Sequence, residues 1–182
     1  MDCCDPAVYD DQFDARRADD RLREYRRYGP NGWTSRLVAG LAAGGVAGLT
    51  VLDIGAGVGA VHHALLEAGA ASAVDVDASG PYIAASRTEA ERRGLAERVT
   101  YVKGDAVARA ADLAEADLVA LDRVVCCDAD YATLLPLAAK RARQVLAMTF
   151  PRDRWLVRWF VSLSNVWRRA RGSAFRVYVH SP

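Results

Sequence analysis

The sequence lacks any apolar run long enough to cross a membrane. The most apolar stretch near the C-terminus, residues 155–167, is interrupted by Arg158 and Asn165, whereas a membrane-spanning helix needs roughly 20 apolar residues. The N-terminus also lacks the basic start and the apolar core of a signal peptide. We therefore expect no transmembrane segment and a cytoplasmic location.

Cysteine is scarce, and the cysteines form two adjacent pairs, Cys3 with Cys4 and Cys126 with Cys127. Zinc sites usually draw on Cys-x-x-Cys pairs, and the sequence contains none. Adjacent side chains point in different directions, so they chelate a metal ion poorly. We expect reduced thiols and no metal site.

The chain also lacks a large excess of charge of one sign, because 24 basic residues face 23 acidic ones. The charges are nonetheless segregated: residues 1–20 carry seven aspartates, and residues 152–176 carry seven arginines. A near-neutral chain lacks the broad basic field of a duplex-binding protein. We expect no nucleic-acid partner, while the basic C-terminal segment allows peripheral contact with a membrane surface.

What is present is enough apolar sequence for one folded domain. The chain has 182 residues, of which 52% are apolar and 26% are charged, a composition typical of a globular protein. We interpret residues 1–182 as a single domain with an N-terminal helical lid at residues 1–44. The rest of the domain is predicted to consist of a cofactor-binding core at residues 45–150 and a helix with an edge strand at residues 151–182.

Short apolar runs alternate with helical patterns through the middle of the chain. Strands are predicted at residues 49–54, 71–76, 98–102, 117–121 and 144–149, and helices at 59–68, 79–93, 107–114 and 130–143. Such alternation implies right-handed crossovers and a parallel sheet covered on both faces. We predict an α/β fold with a doubly wound, mostly parallel sheet.

Local signals set the predicted helix boundaries. Ser79 is suited to cap a helix that ends before Gly94, whereas Pro136 predicts a helix that starts near Leu135 or kinks there. Ahead of the sheet, helices are predicted at residues 13–28 and 34–43. The last turn of the first helix, which begins at Tyr25, precedes a flexible turn. This position suits a lid over a cofactor, and it suits an arginine-rich surface helix equally well.

Gly55, Gly57 and Gly59 follow the first predicted strand. In a doubly wound sheet this turn borders the ligand crevice, and glycine lets the backbone approach a ligand closely. The spacing Gly55-x-Gly57-x-x-Ala60 also fits the dinucleotide fingerprint. NAD and S-adenosylmethionine are therefore both candidate ligands.

Asp53 ends the strand just before this loop. Its carboxylate is expected close to the position of a dinucleotide pyrophosphate, where like charges repel in a partly dry cleft. S-adenosylmethionine carries an ammonium and a sulfonium and no phosphate. Asp53 therefore favours S-adenosylmethionine.

Two further carboxylates follow the next two predicted strands. Asp77 is placed to accept hydrogen bonds from ribose hydroxyls, and Asp105 to accept one from an adenine amino group. The alternatives are a helix cap for Asp77 and a turn residue for Asp105. Their joint occurrence at successive strand ends favours the binding roles.

These motifs resemble those of the class I S-adenosylmethionine-dependent methyltransferases, over about residues 45–150. The resemblance implies a sheet with the strand order 3-2-1-4-5. The resemblance implies that the acidic strand ends and the glycine loop contact the cofactor through Asp53, Gly55, Ala56, Gly57, Asp77, Ala78, Asp105 and Ala106. Residues 3–4, 121–127, 151–152 and 175–180 are similar to those of a small bacterial group within that superfamily. That group is distantly similar to the magnesium-protoporphyrin O-methyltransferases.

The C-terminal end departs from this pattern. Class I methyltransferases usually end with an antiparallel hairpin after strand five, but the residues after Thr149 suffice only for one helix and one strand, predicted at residues 174–179. We therefore expect an incomplete hairpin. Either the chain is a truncated or minimal version of the fold, or a second copy or another partner covers the edge of strand five, because an uncovered sheet edge promotes association.

Other residues have a chemical and a structural interpretation. Asp122 and Arg123 end strand four and are placed to contact the cofactor or an acidic substrate, or to cap a helix. His62 or His63 is a candidate base, although a solvated helix face is favoured. The apolar helix near residues 155–167 is placed to roof a pocket, bind a partner or lie on a membrane, although packing against the sheet edge is favoured.

Together these observations predict S-adenosylmethionine-dependent methyl transfer to a small, apolar or aromatic acceptor, with no catalytic residue assigned. One alternative is a cofactor-binding module that needs a partner to catalyse. The other is an NAD-dependent enzyme.

Overall fold

Five parallel strands form one sheet in the order β3-β2-β1-β4-β5. The computed structural model describes residues 9–10, 12–128, 130–151, 153–173 and 175–179. The strands are β1 Thr50–Ile54, β2 Ser72–Asp77, β3 Val99–Lys103, β4 Ala116–Asp122 and β5 Ala142–Thr149. The predicted fold class and strand order are confirmed.

Six α-helices precede, connect and follow these strands within the described residues. They are α1 Ala15–Tyr28, α2 Gly32–Ala42, α3 Ala60–Glu67, α4 Gly80–Arg92, α5 Tyr131–Arg141 and α6 Trp155–Ala170. Side-chain caps set three of the starts, because Asp14, Asn31 and Ser79 each accept hydrogen bonds from backbone N–H groups of the first turn. These caps account for the small shifts from the predicted boundaries.

The core lies in two layers, one on each face of the sheet. One layer joins Leu41 of α2 and Leu66 of α3 to Leu118 of β4. The other joins Leu134 of α5 to Leu52 of β1 and Leu121 of β4. Side chains of a strand alternate between its two faces, so a strand that is apolar at successive positions is buried on both sides.

Two helix predictions need correction. Residues 107–114 contain only a short 3₁₀ turn, Ala110–Asp112, because Ala106 and Leu113 already cover the sheet there with a loop. Helix α5 begins at Tyr131 and runs through Pro136, so the predicted start near Leu135 is wrong, while the alternative of a kink there stays a prediction. The proline removes a bond to the carbonyl of Ala132, and since both residues are exposed, water can replace that bond.

The predicted C-terminal strand is also wrong for the residues that the structure describes. Residues 175–179 have no strand partner, and Tyr178 donates its backbone N–H to the carbonyl of Cys126 at 2.7 Å. Ala174 lies outside the described residues. Among the described strands, none pairs with the outer edge of β5, where Val145 is exposed.

The described part of the chain contains no helix that combines the length and hydropathy needed to span a membrane.

Candidate active site

A cavity of about 340 Å³ opens at the carboxyl ends of the central strands. Its volume is within the usual range for small-molecule sites. It is lined by most of the residues predicted to bind the cofactor: Gly55, Ala56, Gly57, Asp77, Ala78, Asp105, Ala106 and Arg123. The other two, Asp53 and Tyr25, lie outside its wall.

The glycine loop after β1 needs glycine for both its conformation and its space. Gly55 has a φ of 66°, and a Cβ built there would be 2.4 Å from Cγ2 of Val124. Its N–H donates to the carbonyl of Val76 at 2.6 Å. The loop therefore lies directly against β2 and the segment after β4, where a side chain would collide.

Asp77 is held in one orientation at the end of β2. Its carboxylate accepts a hydrogen bond from the N–H of Gly57 at 2.9 Å and one from the N–H of Ser79 at 2.8 Å. Burial raises the pKa of Asp77 to about 6, although these two bonds oppose the shift. A carboxylate has acceptor positions beyond these two, so Asp77 can still receive hydroxyl donors from a ligand in the cavity.

Asp105 lies at another part of the same wall. One of its oxygens accepts the N–H of Ala108 at 2.8 Å, so the predicted alternative of a turn residue describes part of its role. A carboxylate has acceptor positions beyond this one. Turn formation and ligand contact are therefore compatible.

The end of β4 supplies the floor of the cavity. The carboxylate of Asp122 accepts hydrogen bonds from the hydroxyls of Thr34 and Thr149. Arg123 has a φ of 62°, the only positive φ of a described residue other than glycine, and its N–H donates to Oγ1 of Thr149 at 2.9 Å. A non-glycine residue in this conformation is costly, and here it directs the chain from β4 into the cavity wall.

Asp53 is not at the mouth of the cavity, which corrects the electrostatic prediction made for it. The residue is fully buried, and Oδ2 of its carboxyl group lies 2.9 Å from Nδ1 of His62. Burial raises the pKa of Asp53 to about 8. A buried carboxyl group that holds its proton near neutral pH does not select a cationic ligand from beneath the loop.

His62 and His63 are buried, so the favoured prediction of a solvated helix face is wrong. Ser86 connects His62 to a second buried carboxyl group, because its hydroxyl donates to Asp75 at 2.7 Å and lies 3.5 Å from Nε2 of His62. Burial lowers the pKa of His62 to about 3. This polar network lies under the glycine loop, against α3 and α4, and neither histidine lines the cavity.

We predict that Asp53→Asn reduces the pH dependence of stability. Because the folded-state pKa is raised to about 8, the folded wild type keeps a proton that the unfolded chain releases near pH 4, so its stability falls as pH rises between these values. The variant does not titrate at this position, so its free energy of unfolding lacks this decrease, which amounts to at most about 1.4 kcal/mol per pH unit. Urea unfolding at about pH 5.5 and pH 7.5 measures the difference.

The control for this prediction is Asp112→Asn, since Asp112 is exposed. Its stability curve should follow that of the wild type at both pH values. Parallel curves for Asp53→Asn and the wild type would contradict the raised pKa of Asp53.

Tyr25 has a packing role instead of the predicted cofactor contact. It is buried, its ring stacks on His63 at a centroid distance of 6.3 Å, and the guanidinium of Arg93 lies 4.7 Å above it. Burial raises the pKa of Tyr25 to about 12. It therefore joins α1 to the helices beneath the loop.

The prediction missed an aromatic group that lines the cavity. Tyr9, Phe13 and Tyr82 belong to the wall, and the ring of Phe13 packs edge-on against Tyr82 at 5.7 Å and Phe175 at 5.3 Å. Tyr9 and Phe13 are four residues apart and stack on each other at 6.2 Å, but Tyr82 and Phe175 are far from them in the sequence, so no spacing relates the whole group. Only the fold brings them over the glycine loop.

Cys126 and Cys127 also line the cavity. Their sulfur atoms are 3.7 Å apart, and Cys126 Sγ lies 3.2 Å from the carbonyl of Arg123. The hydrogen bond with Cys126 and burial both raise the pKa of Cys127, which disfavours a reactive thiolate there. Cys3, Cys4, Arg152 and His180 lie outside the described residues.

Comparison with known proteins identifies the same region of the chain. A family model for the methyltransferase domain matches residues 51–149. Ribosomal protein L11 methyltransferase of Citrobacter koseri is 40% identical over 75 residues, which make up 40% of this chain and 26% of that protein. The chain thus spans about a quarter of the length of this curated relative.

Solved structures share the fold. Magnesium protoporphyrin IX methyltransferase from Synechocystis PCC 6803, with bound S-adenosylhomocysteine, has a TM-score of 0.64 at 22% identity, covering 81% of this chain and 65% of that one. An S-adenosylmethionine-dependent methyltransferase from Geobacter sulfurreducens, also in complex with S-adenosylhomocysteine, has a TM-score of 0.52 at 25% identity. That alignment covers 65% of this chain and 47% of that one.

The matched region includes β1 to β5, the glycine loop and the acidic strand ends that form the cavity. It accounts for more than half of the chain. The chain therefore belongs to the methyltransferase domain family, in which S-adenosylmethionine is the cofactor.

Proposed function

We propose that the chain transfers a methyl group from S-adenosylmethionine to a small, apolar or aromatic acceptor. The observation that carries this proposal is the composition of the cavity wall beside the glycine loop. Apart from the acidic strand ends, it consists largely of aromatic and aliphatic side chains: Tyr9, Phe13, Ile54, Val58, Val61, Tyr82, Val124 and Leu134.

The residues of the loop and strand ends fit the cofactor. The fixed carboxylate of Asp77 would accept hydrogen bonds from the ribose hydroxyls, and Asp105 with Ala106 would border the adenine. Gly55 and Gly57 leave room for the amino-acid end, because no side chain projects from them. S-adenosylmethionine, when bound, supplies an electrophilic methyl group on a positively charged sulfur.

The end of β4 and the N-terminal segment would hold the acceptor. Asp122 has a fixed orientation, set by the hydroxyls of Thr34 and Thr149, and can orient a polar atom of the acceptor. Phe13 and Tyr82 form an apolar wall that excludes water from the same space. Holding the reactants in line can supply most of the rate of a methyl transfer, so the proposal assigns no base.

We propose that the N-terminal segment acts as the lid of this single domain. Two contacts support this role: Ser79 donates its hydroxyl to the carbonyl of Phe13 at 2.8 Å, and Lys103 lies 3.0 Å from the carboxylate of Asp10. Asp10 also accepts the N–H of Gly80 at 2.9 Å. The segment therefore closes onto the ends of β2 and β3, where the cofactor would bind.

A protein acceptor is the second candidate. The name of the Citrobacter koseri relative identifies a methyltransferase that acts on ribosomal protein L11, but the aligned part covers only 26% of that protein. The largely aromatic and aliphatic wall beside the glycine loop favours the small apolar acceptor over a polar protein side chain.

Methylation with radiolabelled S-adenosylmethionine tests the proposal. The purified chain is incubated with the label and a cell extract, and the products are separated into an organic-soluble fraction and a protein precipitate. We expect the label in the organic-soluble fraction, at levels above those with Asp77→Asn. Label in the protein precipitate alone would favour the protein acceptor and contradict the small one.

Calorimetry distinguishes the remaining alternatives. We expect S-adenosylhomocysteine to bind and NAD to bind more weakly, and the reverse order would contradict the proposed cofactor use. If S-adenosylhomocysteine binds but no fraction is labelled, a binding module that depends on a partner is favoured instead.

A further inference from the structure

Helix α6 presents its apolar face to solvent. Seven large apolar residues along it are between 53% and 75% exposed: Trp155, Leu156, Trp159, Phe160, Leu163, Val166 and Trp167. At 100° per residue, all seven fall within one continuous arc of the helix. The prediction that this helix packs its apolar face against the sheet edge is therefore wrong.

The opposite face of α6 is the one that rests on the domain. The half-buried positions include Val157, Val161 and Asn165. The amide of Asn165 donates to the carbonyl of Val177 at 2.7 Å and accepts the N–H of Val177 at 3.0 Å. This pair of hydrogen bonds fixes the rotation of the helix and directs the apolar arc outward.

The ends and one flank of α6 are strongly basic. Arg154 precedes it, Arg158 and Arg169 lie beside the apolar arc, and Arg171 follows it, against Asp153 as the only nearby acidic residue in the sequence. Arg158 forms an ion pair with Asp153 at 2.5 Å, and the guanidinium of Arg171 lies 3.7 Å from the ring of Trp167. The exposed apolar surface is thus bordered by positive charge.

We infer that α6 binds the surface of an anionic lipid bilayer. A helix with tryptophan, phenylalanine and leucine on one face and arginine beside it is suited to lie in the interface, with the rings at the headgroup level. The arginines match the negative charge of the headgroups. Pairing with a second copy is disfavoured, because it would place two basic helices against each other.

The position of α6 connects this surface with the cavity. The guanidinium of Arg168 lies 5.3 Å from the ring of Phe175, and Phe175 packs on Phe13 of the cavity wall. An apolar acceptor dissolved in the bilayer would therefore meet the cavity close to where α6 binds. This route of entry rests on the proposed function, whereas lipid binding by α6 does not.

Vesicle co-sedimentation of the full chain tests the inference. The probes are vesicles of phosphatidylcholine alone and of phosphatidylcholine with phosphatidylglycerol. We expect binding to the anionic vesicles, and a loss of about tenfold or more in Trp159→Glu/Phe160→Glu and in Arg169→Gln/Arg171→Gln. Trp33→Glu, on α2, is the matched control because Trp33 is 61% exposed and lies outside the proposed surface.

A spectroscopic measurement locates the contact. In Trp33→Phe all tryptophans belong to α6, and brominated lipids should quench their fluorescence. Binding of S-adenosylhomocysteine verifies that each variant is folded, and it separates failure of this inference from failure of the proposed cofactor site. The inference is overturned if the wild type does not bind anionic vesicles, or if Trp33→Glu loses as much vesicle binding as the α6 variants do. It is also overturned if the chain is a dimer in solution that Trp159→Glu/Phe160→Glu converts to a monomer.

Discussion

Asp77→Asn is expected to weaken binding of S-adenosylhomocysteine about tenfold to a hundredfold, since a hydrogen bond to a charged group contributes about 1.5–3 kcal/mol. Both oxygens of Asp77 are oriented by backbone N–H groups, those of Gly57 and Ser79. The amide of asparagine keeps one acceptor and replaces the other with a donor. In either orientation the amide NH₂ faces the N–H of Gly57 or of Ser79, and only the remaining oxygen can accept from a ribose hydroxyl.

Isothermal titration calorimetry with S-adenosylhomocysteine measures this effect, with Asp112→Asn as an exposed acidic control. Because the variant also loses one of the bonds to a backbone N–H group, thermal unfolding without ligand verifies that it is folded at the temperature of the titration. An unaltered dissociation constant for Asp77→Asn would remove Asp77 from the cofactor site.

Glu89→Gln is expected to destabilise the fold by about 2–4 kcal/mol, as is usual when a buried, paired charge loses its interaction. The carboxylate of Glu89 is fully buried and accepts hydrogen bonds from three guanidinium groups, those of Arg26 at 2.7 Å, Arg92 at 2.6 Å and Arg93 at 2.7 Å. Arg26 belongs to α1, so this cluster holds the N-terminal helix against α4.

The same carboxylate predicts acid sensitivity. Burial alone would raise the pKa of Glu89, but hydrogen bonds from Arg92, Arg26 and Arg93 outweigh it and lower the pKa to about 2. The stabilisation is therefore complete above the unfolded pKa near 4.3 and is lost as pH falls towards about 2.

Urea unfolding of Glu89→Gln and of Glu91→Gln, an exposed position on the same helix, checks this prediction. Glu91→Gln should unfold like the wild type. The prediction fails if the two variants are equally stable, or if Glu89→Gln loses as much stability between pH 5 and about pH 3 as the wild type does.

Local composition was sufficient to predict most of the sheet. Residues 118–121 of β4 are continuously apolar because Leu118 and Leu121 are buried on opposite faces of the sheet. A continuous apolar run of this kind is typical of strands that are covered on both sides. The caps at Ser79 and the loop at Gly55 depend on neighbours in sequence, so their positions could also be predicted.

Residues whose role depends on distant neighbours were predicted poorly. Asp53 is the residue before the last of β1 and Asp77 is the last of β2, and Asp77 lines the cavity whereas Asp53 contacts His62. Adjacent strand positions point to opposite faces, but which face becomes the ligand side is decided by how the loop and helices pack above it. The aromatic wall of Phe13, Tyr82 and Phe175 likewise has no signature in the sequence.

The sequence by itself determined the alternation of strands and helices and the position of the glycine loop, because burial pattern and turn chemistry act over a few residues, whereas the strand order was predicted from the family resemblance. Only the tertiary structure decided that Asp53 and His62 are buried together, that Tyr25 packs inside, and that α6 turns its apolar face outward. The physical reason is that a hydrophobic pattern indicates only which residues favour burial. Contacts with distant residues, such as those of Asn165 with Val177, decide which face of a helix is buried.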